Sequence, residues 1–336
     1  MVLCLLFAGC GDDGGGPAAP RDAGPGIPVD GGGGRDAGSA RDAAGMPPGD
    51  AGDVPPTDAG PRMVITVPGG DVMGDWCGDV TVTANVTVPA GATLTVCAGS
   101  VVTFDASVGM AVAGTLRLAG TAAAPIALTS SGRWQGLAVT GELAGDFTDI
   151  SRAGLAVEGR AGSTIRLDDS TIAMSPQTIS LLNGGTFDRT TVTGGNTILI
   201  SGGVLHMTGS TIDFGHPTVS PDCTAFSGSG AVLDHVLFTG CHCPLHINSA
   251  PGGFMVTNSI FSDATNPVMI AGTVATFHGN HFLGVGTKML DIGGGITADV
   301  SGNYWGGGPA DIGTSAPGQF TGADVFETMP IAGAGP

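Results

Sequence analysis

The chain has 336 residues, of which 61 are glycine and 22 are proline, yet 42% are hydrophobic, so a turn-rich fold with a core can form. Acidic residues outnumber basic ones by 29 to 11, and the net charge is −18. Because this charge is repelled by phosphate, the composition excludes nucleic acid as a partner and predicts no attraction to an anionic membrane surface.

A short apolar run opens the chain, ends at Ala8-Gly9-Cys10, and turns polar at once. Residues 6–10 resemble the lipobox of bacterial lipoproteins, with Phe7 where leucine is usual. The resemblance implies that residues 1–10 are a lipoprotein signal segment and that Cys10 is lipidated. It also implies an exported protein, lipid-anchored to the bacterial cell envelope at the outer membrane or cell surface. No later segment has the ~20 apolar residues of a membrane-spanning helix.

Residues 11–62 consist mainly of glycine, alanine, proline and aspartate. Such a segment buries too little apolar area to offset its ordering entropy, so we predict a disordered linker with a span near ~40 Å. An Asp-Ala-Gly triplet recurs at Asp22, Asp36, Asp50 and Asp58. A calcium-binding interpretation of this repeat is an alternative, but the spacings fit no loop that closes on one ion.

The composition changes at Met63, where short alternating strands such as Val80-Thr81-Val82-Thr83 begin. A six-residue unit then recurs, with apolar residues at its two ends and, in most copies, a small polar residue in fourth place. Its copies begin 20 to 26 residues apart, at Phe147, Leu167, Phe187, Met207, Leu233, Val256, Phe277 and Val300. Periods of this length without helical pattern predict stacked β coils over residues 63–336.

The apolar ends of each unit lie five positions apart, so both can face inward only if the chain bends between them. In the seven copies from Leu167 onward the fourth position suits that corner, and it holds a small polar residue except at Val236: Ser170, Thr190, Ser210, Ser259, Asn280 and Asn303. The pattern therefore predicts eleven or twelve coils of two or three strands each, stacked in parallel, with caps at both ends.

Two segments add a family resemblance. Residues 77–94 resemble the N-terminal start of bacterial right-handed β-helix proteins, and Asn303-Tyr304-Trp305-Gly306 resembles a segment near the end of such solenoids. The resemblance implies an all-β fold, a right-handed single-stranded parallel β-helix of the pectate-lyase-like kind. It implies no activity, because this architecture is shared by lyases, hydrolases, adhesins and proteins without known activity.

Five cysteines follow Cys10. Cys77 and Cys97 lie one coil period apart, so stacking predicts a disulfide between them. Cys223 can pair with Cys241 or Cys243, which leaves one buried thiol. A metal cluster of Cys241, His242, Cys243 and His246 is the alternative. We expect no metal site, because the spacing matches no common zinc pattern and adjacent residues on a strand point to opposite faces.

The best candidates for chemistry are Asp168, Asp169, Asp188 and Arg189, with Arg166 nearby, at equivalent positions of successive coils. A polysaccharide lyase would need such carboxylates to bind Ca²⁺ beside an arginine or lysine base. Asp168-Asp169 resembles the Asp-Asp of polygalacturonases, but Gly215-His216-Pro217 departs from that family's Gly-His-Gly. The other interpretation is a solvated face with an ion pair between coils.

The histidines cluster from His206 to His281, and His235, His278 and His281 could line one face with Asp234. A Ser-His-Asp triad stays open, although no Gly-x-Ser-x-Gly motif is present. We favour a non-catalytic surface lipoprotein, a monomer without a cofactor, whose solenoid binds a glycan or protein or serves as envelope structure. The alternative is a polysaccharide lyase or, behind it, a glycoside hydrolase acting on acidic polysaccharide, and only the lyase would require Ca²⁺.

Overall fold

Short strands follow one another in a cycle of three, and each strand of the cycle joins a different sheet. The computed structural model describes residues 63–195, 197–216, 224–314 and 319–336; residues 1–62, the predicted signal segment and linker, lie outside this range. Strand order within each sheet advances by three, and the strands pair in parallel with the next coil. No helix occurs in these ranges, so the prediction of an all-β parallel solenoid is confirmed. The right-handed sense of the coil stays a prediction.

The three sheets differ little in length. Sheet A has 13 strands: Val64–Val67, Asp79–Val82, Val101–Phe104, Ile126–Ser130, Thr148–Ser151, Thr171–Ala173, Thr191–Thr193, Thr211–His216, Leu237–Cys241, Ile260–Phe261, His281–Phe282, Asn303–Tyr304 and Phe326–Glu327. Sheet B has 12 strands: Gly70–Asp71, Val86–Val88, Gly109–Val112, Gly136–Val139, Leu155–Gly159, Gln177–Leu181, Thr197–Ile200, Thr224–Phe226, Leu245–Ile247, Val268–Ile270, Met289–Asp291 and Ile312–Thr314.

Sheet C, the last in each cycle, also has 12 strands: Gly74–Trp76, Thr93–Cys97, Thr115–Ala119, Glu142–Asp146, Thr164–Asp168, Gly184–Asp188, Val204–Thr208, Gly230–Asp234, Ala250–Thr257, Thr273–His278, Thr297–Asp299 and Gln319–Thr321. Each coil thus contains three strands.

Both apolar ends of the six-residue unit point into the core. The first ends form one column along sheet C, in which Phe187 pairs with Met207 and Val256 pairs with Phe277, and all four are at most 1% exposed. The second ends form a column along sheet A that becomes aromatic, with ring centroids 4.9 Å apart for Phe238–Phe261 and 5.0 Å apart for Phe261–Phe282. The stacking predicted from the period is confirmed.

The bend between the two apolar ends lies one position earlier than predicted. The third residue of the unit has the left-handed backbone conformation, with φ of 47° at Asp169, 47° at Arg189 and 50° at Asn258. A left-handed residue reverses the side-chain alternation, so the fourth residue turns inward instead of marking the corner. We name this edge, between sheet C and sheet A, the C–A corner.

The inward fourth residues form a ladder of hydrogen bonds between coils. The backbone N–H of Thr190 donates to Ser210 Oγ at 3.0 Å, and that of Ser259 donates to Asn280 Oδ1 at 2.9 Å. Even at Val236, which has no polar side chain, the backbone N–H donates to Ser259 Oγ at 3.0 Å. Because these groups are buried, each bond satisfies a donor that would otherwise be costly to bury.

The two ends of the solenoid are fastened by different means. Cys77 and Cys97 form the predicted disulfide, with a Cα–Cα distance of 4.9 Å. At the other end, Trp305 is 4% exposed and its ring stacks on Phe282 at 4.6 Å. The last residues of the chain return along the solenoid, where the Ile331 N–H donates to His281 Nε2 at 2.7 Å.

The remaining cysteines fall partly within the described residues. Cys241 takes part in a disulfide, but Cys223, one of its predicted partners, lies outside the described residues. Cys243 is buried and retains its thiol, as expected if Cys223 pairs with Cys241. Cys10, the predicted lipidation site, also lies outside.

Candidate functional site

Register along the solenoid brings the predicted residues together at the C–A corner. Asp168 and Asp188 end successive strands of sheet C and are Cα partners, and Asp146 ends the strand before them. Asp169 and Arg189 follow at the left-handed positions, which turn their side chains outward. The four candidates therefore form one cluster on an edge of the solenoid.

Most charged side chains in this cluster form ion pairs with one another. Arg189 Nε lies 2.7 Å from Asp169 Oδ1, and its Nη2 lies 2.8 Å from Asp169 Oδ2, a two-point pairing between adjacent coils. Arg189 also pairs with Asp188, and Arg166 pairs with Asp168 and lies 3.5 Å from Asp146. Two arginines thus neutralise much of the charge of four carboxylates.

The pKa shifts move these groups away from acid–base work at neutral pH. The hydrogen bond from Arg189 holds the pKa of the Asp169 carboxyl below its usual value, and the same pairing raises the pKa of the Arg189 guanidinium. A general acid or base is most effective when its pKa lies near the working pH. Asp169 and Arg189 instead stay charged and paired.

Calcium, which a lyase would require here, does not fit the cluster. The ion takes six to eight oxygen ligands. Arg189 occupies both oxygens of Asp169, and Arg166 contacts Asp168, although Asp168 Oδ1 is buried and accepts no hydrogen bond. Within the described ranges, no group of three or more His, Cys, Asp or Glu side chains could hold a metal ion.

Further along the same corner, Asp234 and His235 of the predicted face lie in one small network, whereas His281 is buried and contacts the Ile331 N–H instead. Asp234 accepts hydrogen bonds from Thr257 Oγ1 at 2.6 Å and Asn258 Nδ2 at 3.0 Å, and it lies 2.9 Å from His235 Nδ1. Burial raises the pKa of Asp234, but these hydrogen bonds outweigh it, so the pKa lies below its usual value. The network holds a carboxylate in its charged form.

A serine, a histidine and an aspartate also meet at this corner, but not as a catalytic triad. His278 Nε2 lies 3.0 Å from Asp299 Oδ2 and 3.2 Å from Ser301 Oγ. In a triad the acid and the hydroxyl contact opposite ring nitrogens, so that a proton taken from the hydroxyl is balanced at the other nitrogen. Here Asp299 and Ser301 both contact Nε2 of His278, so these three residues do not form a catalytic triad.

Sequence reasoning missed the groove on the outer face of sheet B. It has a volume of about 390 Å³ and crosses strands of four successive coils. Its floor consists of small outward side chains, Thr87, Ala111 and Ala138, which are Cα partners along the sheet. Small residues at equivalent outward positions were the available signal. We name this feature the sheet B groove.

Polar side chains border the sheet B groove and are held in place by the fold. Gln135 Nε2 donates to Ser107 O at 2.7 Å, and Asn85 Oδ1 accepts from the Gly109 N–H at 2.9 Å. The other amide atom of each side chain remains available to a ligand. On the opposite border Arg160 Nη2 lies 2.8 Å from Glu158 Oε2, and that contact raises the pKa of the Arg160 guanidinium.

One glycine is required where the groove begins. Gly136 has φ of +108°, and a Cβ at this position would lie 1.7 Å from Leu155 O in the next coil. A side chain would therefore push the two strands apart and fill the groove's edge. None of the four candidate residues of the C–A corner lines this groove.

Comparison with protein-family models, with curated proteins and with solved structures found no match. Over the described residues, no helix is long and apolar enough to cross a membrane.

Proposed function

We propose that the chain is a cell-surface lipoprotein whose solenoid is a non-catalytic binding module, with a glycan ligand in the sheet B groove. The observation that supports the proposal is that the candidate catalytic residues lie outside the concave surface. The candidate carboxylates are paired with arginines on an outer edge, whereas the groove is bordered by Asn85, Gln135, Glu158 and Arg160.

The groove's chemistry supports a glycan. Sugar hydroxyls both donate and accept hydrogen bonds, and the border offers amide groups, a carboxylate and a guanidinium side by side. A volume of about 390 Å³ falls within the range of small-ligand sites. Because the floor is flat and its side chains are small, a chain of sugar rings could lie across several coils.

Binding by the full chain to a panel of neutral and acidic polysaccharides tests the ligand. We expect Gln135→Ala and Asn85→Ala each to weaken binding about tenfold, since each removes a hydrogen bond to the ligand. Arg189→Ala is the matched control and should bind like the wild type, because Arg189 lies outside the groove. Equal binding by all three variants would reject the groove, and binding to no polysaccharide of the panel would reject the ligand class.

The same panel separates binding from catalysis. A lyase would release unsaturated products that absorb in the ultraviolet, and its activity would be lost in Asp169→Asn and Arg189→Ala. We expect no such absorbance with any acidic polysaccharide, with or without added Ca²⁺. Release of these products by the wild type alone would replace our proposal with the lyase alternative.

The anchor is tested separately in a bacterial host that acylates lipoproteins. We expect the wild type in the membrane fraction and Cys10→Ala in the soluble fraction, because the acyl chains supply the membrane affinity. A membrane-bound Cys10→Ala would contradict the lipoprotein assignment without affecting the proposed groove.

A further inference from the structure

Three soft donor atoms converge where the chain turns from sheet A into sheet B. Residues 242–244 form a bend between the strands Leu237–Cys241 and Leu245–Ile247. In this bend His242 Nδ1 lies 3.0 Å from Cys243 Sγ. Met269 Sδ, from the next coil, lies 3.3 Å from the same sulfur. The Cys243 sulfur is therefore the shared neighbour of an imidazole nitrogen in its own bend and a thioether sulfur in the next coil.

The bend also removes the argument that led us to expect no metal site. Neighbouring residues point to opposite faces only on a strand, and His242 and Cys243 lie outside one. No group of three His, Cys, Asp or Glu side chains in the described residues could hold a metal ion. The third donor of this cluster is a methionine thioether, which lies outside that set.

Hydrogen bonding explains this convergence poorly. A thiol is a weak donor and a thioether is a weak acceptor, so the Cys243–Met269 contact contributes little as a hydrogen bond. Cys243 is fully buried and Met269 is 8% exposed, while His242 is half-buried at the bend. Both sulfur-bearing residues are thus buried, and His242 is the most exposed of the three.

We propose that His242 Nδ1, Cys243 Sγ and Met269 Sδ bind one copper(I) ion. Thiolate and thioether ligands select copper(I), and imidazole also suits copper, whereas oxygen ligands, which calcium and magnesium prefer, are absent from this set of three. Separations of 3.0 and 3.3 Å from Cys243 Sγ place both other donor atoms within reach of an ion bound to that sulfur. Binding replaces the thiol proton, which passes to solvent, and neither sulfur nor copper is oxidised.

Competition for copper(I) between the full chain and a colorimetric chelator under anaerobic, reducing conditions tests this site. We expect Cys243→Ser and Met269→Leu each to weaken copper(I) binding at least tenfold relative to the wild type. Met255→Leu is the matched control, because Met255 is 41% exposed on sheet C. Any copper held by the cysteines near the N-terminus is the same in every variant and does not affect the comparison.

Met269→Leu keeps the side-chain volume and should fold like the wild type, which guards against loss of binding by unfolding. X-ray absorption of the copper(I) complex should show two sulfur and at least one nitrogen neighbours. Binding by Met269→Leu equal to that of the wild type, or a spectrum with a single sulfur, would overturn the proposal. Tighter binding of zinc(II) than of copper(I) would also overturn it.

Discussion

The coils before residue 195 and those after residue 197 use one backbone plan with different side chains. The earlier coils contain the disulfide between Cys77 and Cys97, the described arginines and the sheet B groove. The later coils contain the phenylalanines that stack on one another, every histidine of the chain and the asparagine part of the ladder. The repeat period therefore fixes the backbone path of each coil, whereas the contacts that hold neighbouring coils together differ from one part of the solenoid to another.

The stacked rings of the later coils should make the largest contribution to the free energy of unfolding. Phe261 is fully buried between Phe238 and Phe282, so Phe261→Ala leaves a cavity and should lower the free energy of unfolding by about 3–5 kcal/mol. Chemical denaturation measures the loss. Val285→Ala is the control, since Val285 is 85% exposed and should change little. A loss for Phe261→Ala no larger than that of the control would remove the distinction between the two regions.

The disulfide between Cys77 and Cys97 should have the next largest effect on stability, and that effect should be confined to the first coils. Replacing both Cys77 and Cys97 by alanine should cost about 3 kcal/mol, because the open chain regains the entropy of a 20-residue loop. Amide hydrogen exchange should show the lost protection in the first strands, such as Asp79–Val82, and not around Phe261. Uniform loss along the solenoid would mean that its coils unfold as one unit.

The hydrogen-bond ladder offers one substitution in each region that can be compared directly, Asn280→Ala in the later coils and Ser170→Ala in the earlier ones. Asn280 accepts from the Ser259 N–H at 2.9 Å and donates to Val256 O at 2.9 Å and to Asn303 Oδ1 at 3.0 Å. Asn280→Ala should therefore destabilise by about 2–3 kcal/mol. Ser170→Ala should cost about 1 kcal/mol, since Ser170 has one acceptor role, to the Thr148 N–H, and one donor role. Thermal unfolding of both variants gives the comparison, and an equal cost would contradict it.

The smallest expected effect is a pH dependence in the later coils. Burial lowers the pKa of His281 below its usual 6.5. The Ile331 N–H donates to Nε2, and only the unprotonated nitrogen can accept that hydrogen bond. The folded state favours neutral His281, so its contribution is present above pH 6.5 and declines as the pH falls below that value, where the unfolded chain binds the proton first.

Hydrogen exchange at the Ile331 amide between pH 7.5 and pH 5, corrected for intrinsic rates, measures this effect. We expect protection to fall toward the lower pH, and we expect His281→Gln to make it insensitive to pH over this range. His206→Gln is the control, because His206 lies on the outer face of sheet C, away from the last residues. Unchanged protection of the wild-type amide at both pH values would rule out the coupling.

Most of the fold could be predicted from one pattern. The spacing between Phe187, Met207 and Phe277 reports which residues lie above one another, because parallel stacking repeats the same positions in each coil. The sequence pattern put the C–A corner at the fourth residue of the unit, one position later than the structure does. Only backbone geometry separates a left-handed Asp169 from an inward Ser170, and both residue types are common at bends.

The site was predictable only in part. Coil spacing brought Asp169 and Arg189 together, but it could not show that they pair with each other instead of facing a ligand. The sheet B groove depends on the absence of large side chains at Ala111 and Ala138, which no motif describes. The contact between Cys243 and Met269 joins residues 26 apart across a bend, where strand alternation gives no guidance.

The inward ladder has a consequence for how such a chain can change in length. Thr190 and Ser210 are 20 residues apart and occupy the same place in neighbouring coils. Loss or duplication of one such period would leave the remaining columns in line, because equivalent residues of neighbouring coils are Cα partners. Half a period would instead turn core residues outward, so whole-coil duplication and deletion are the steps by which this architecture can lengthen or shorten.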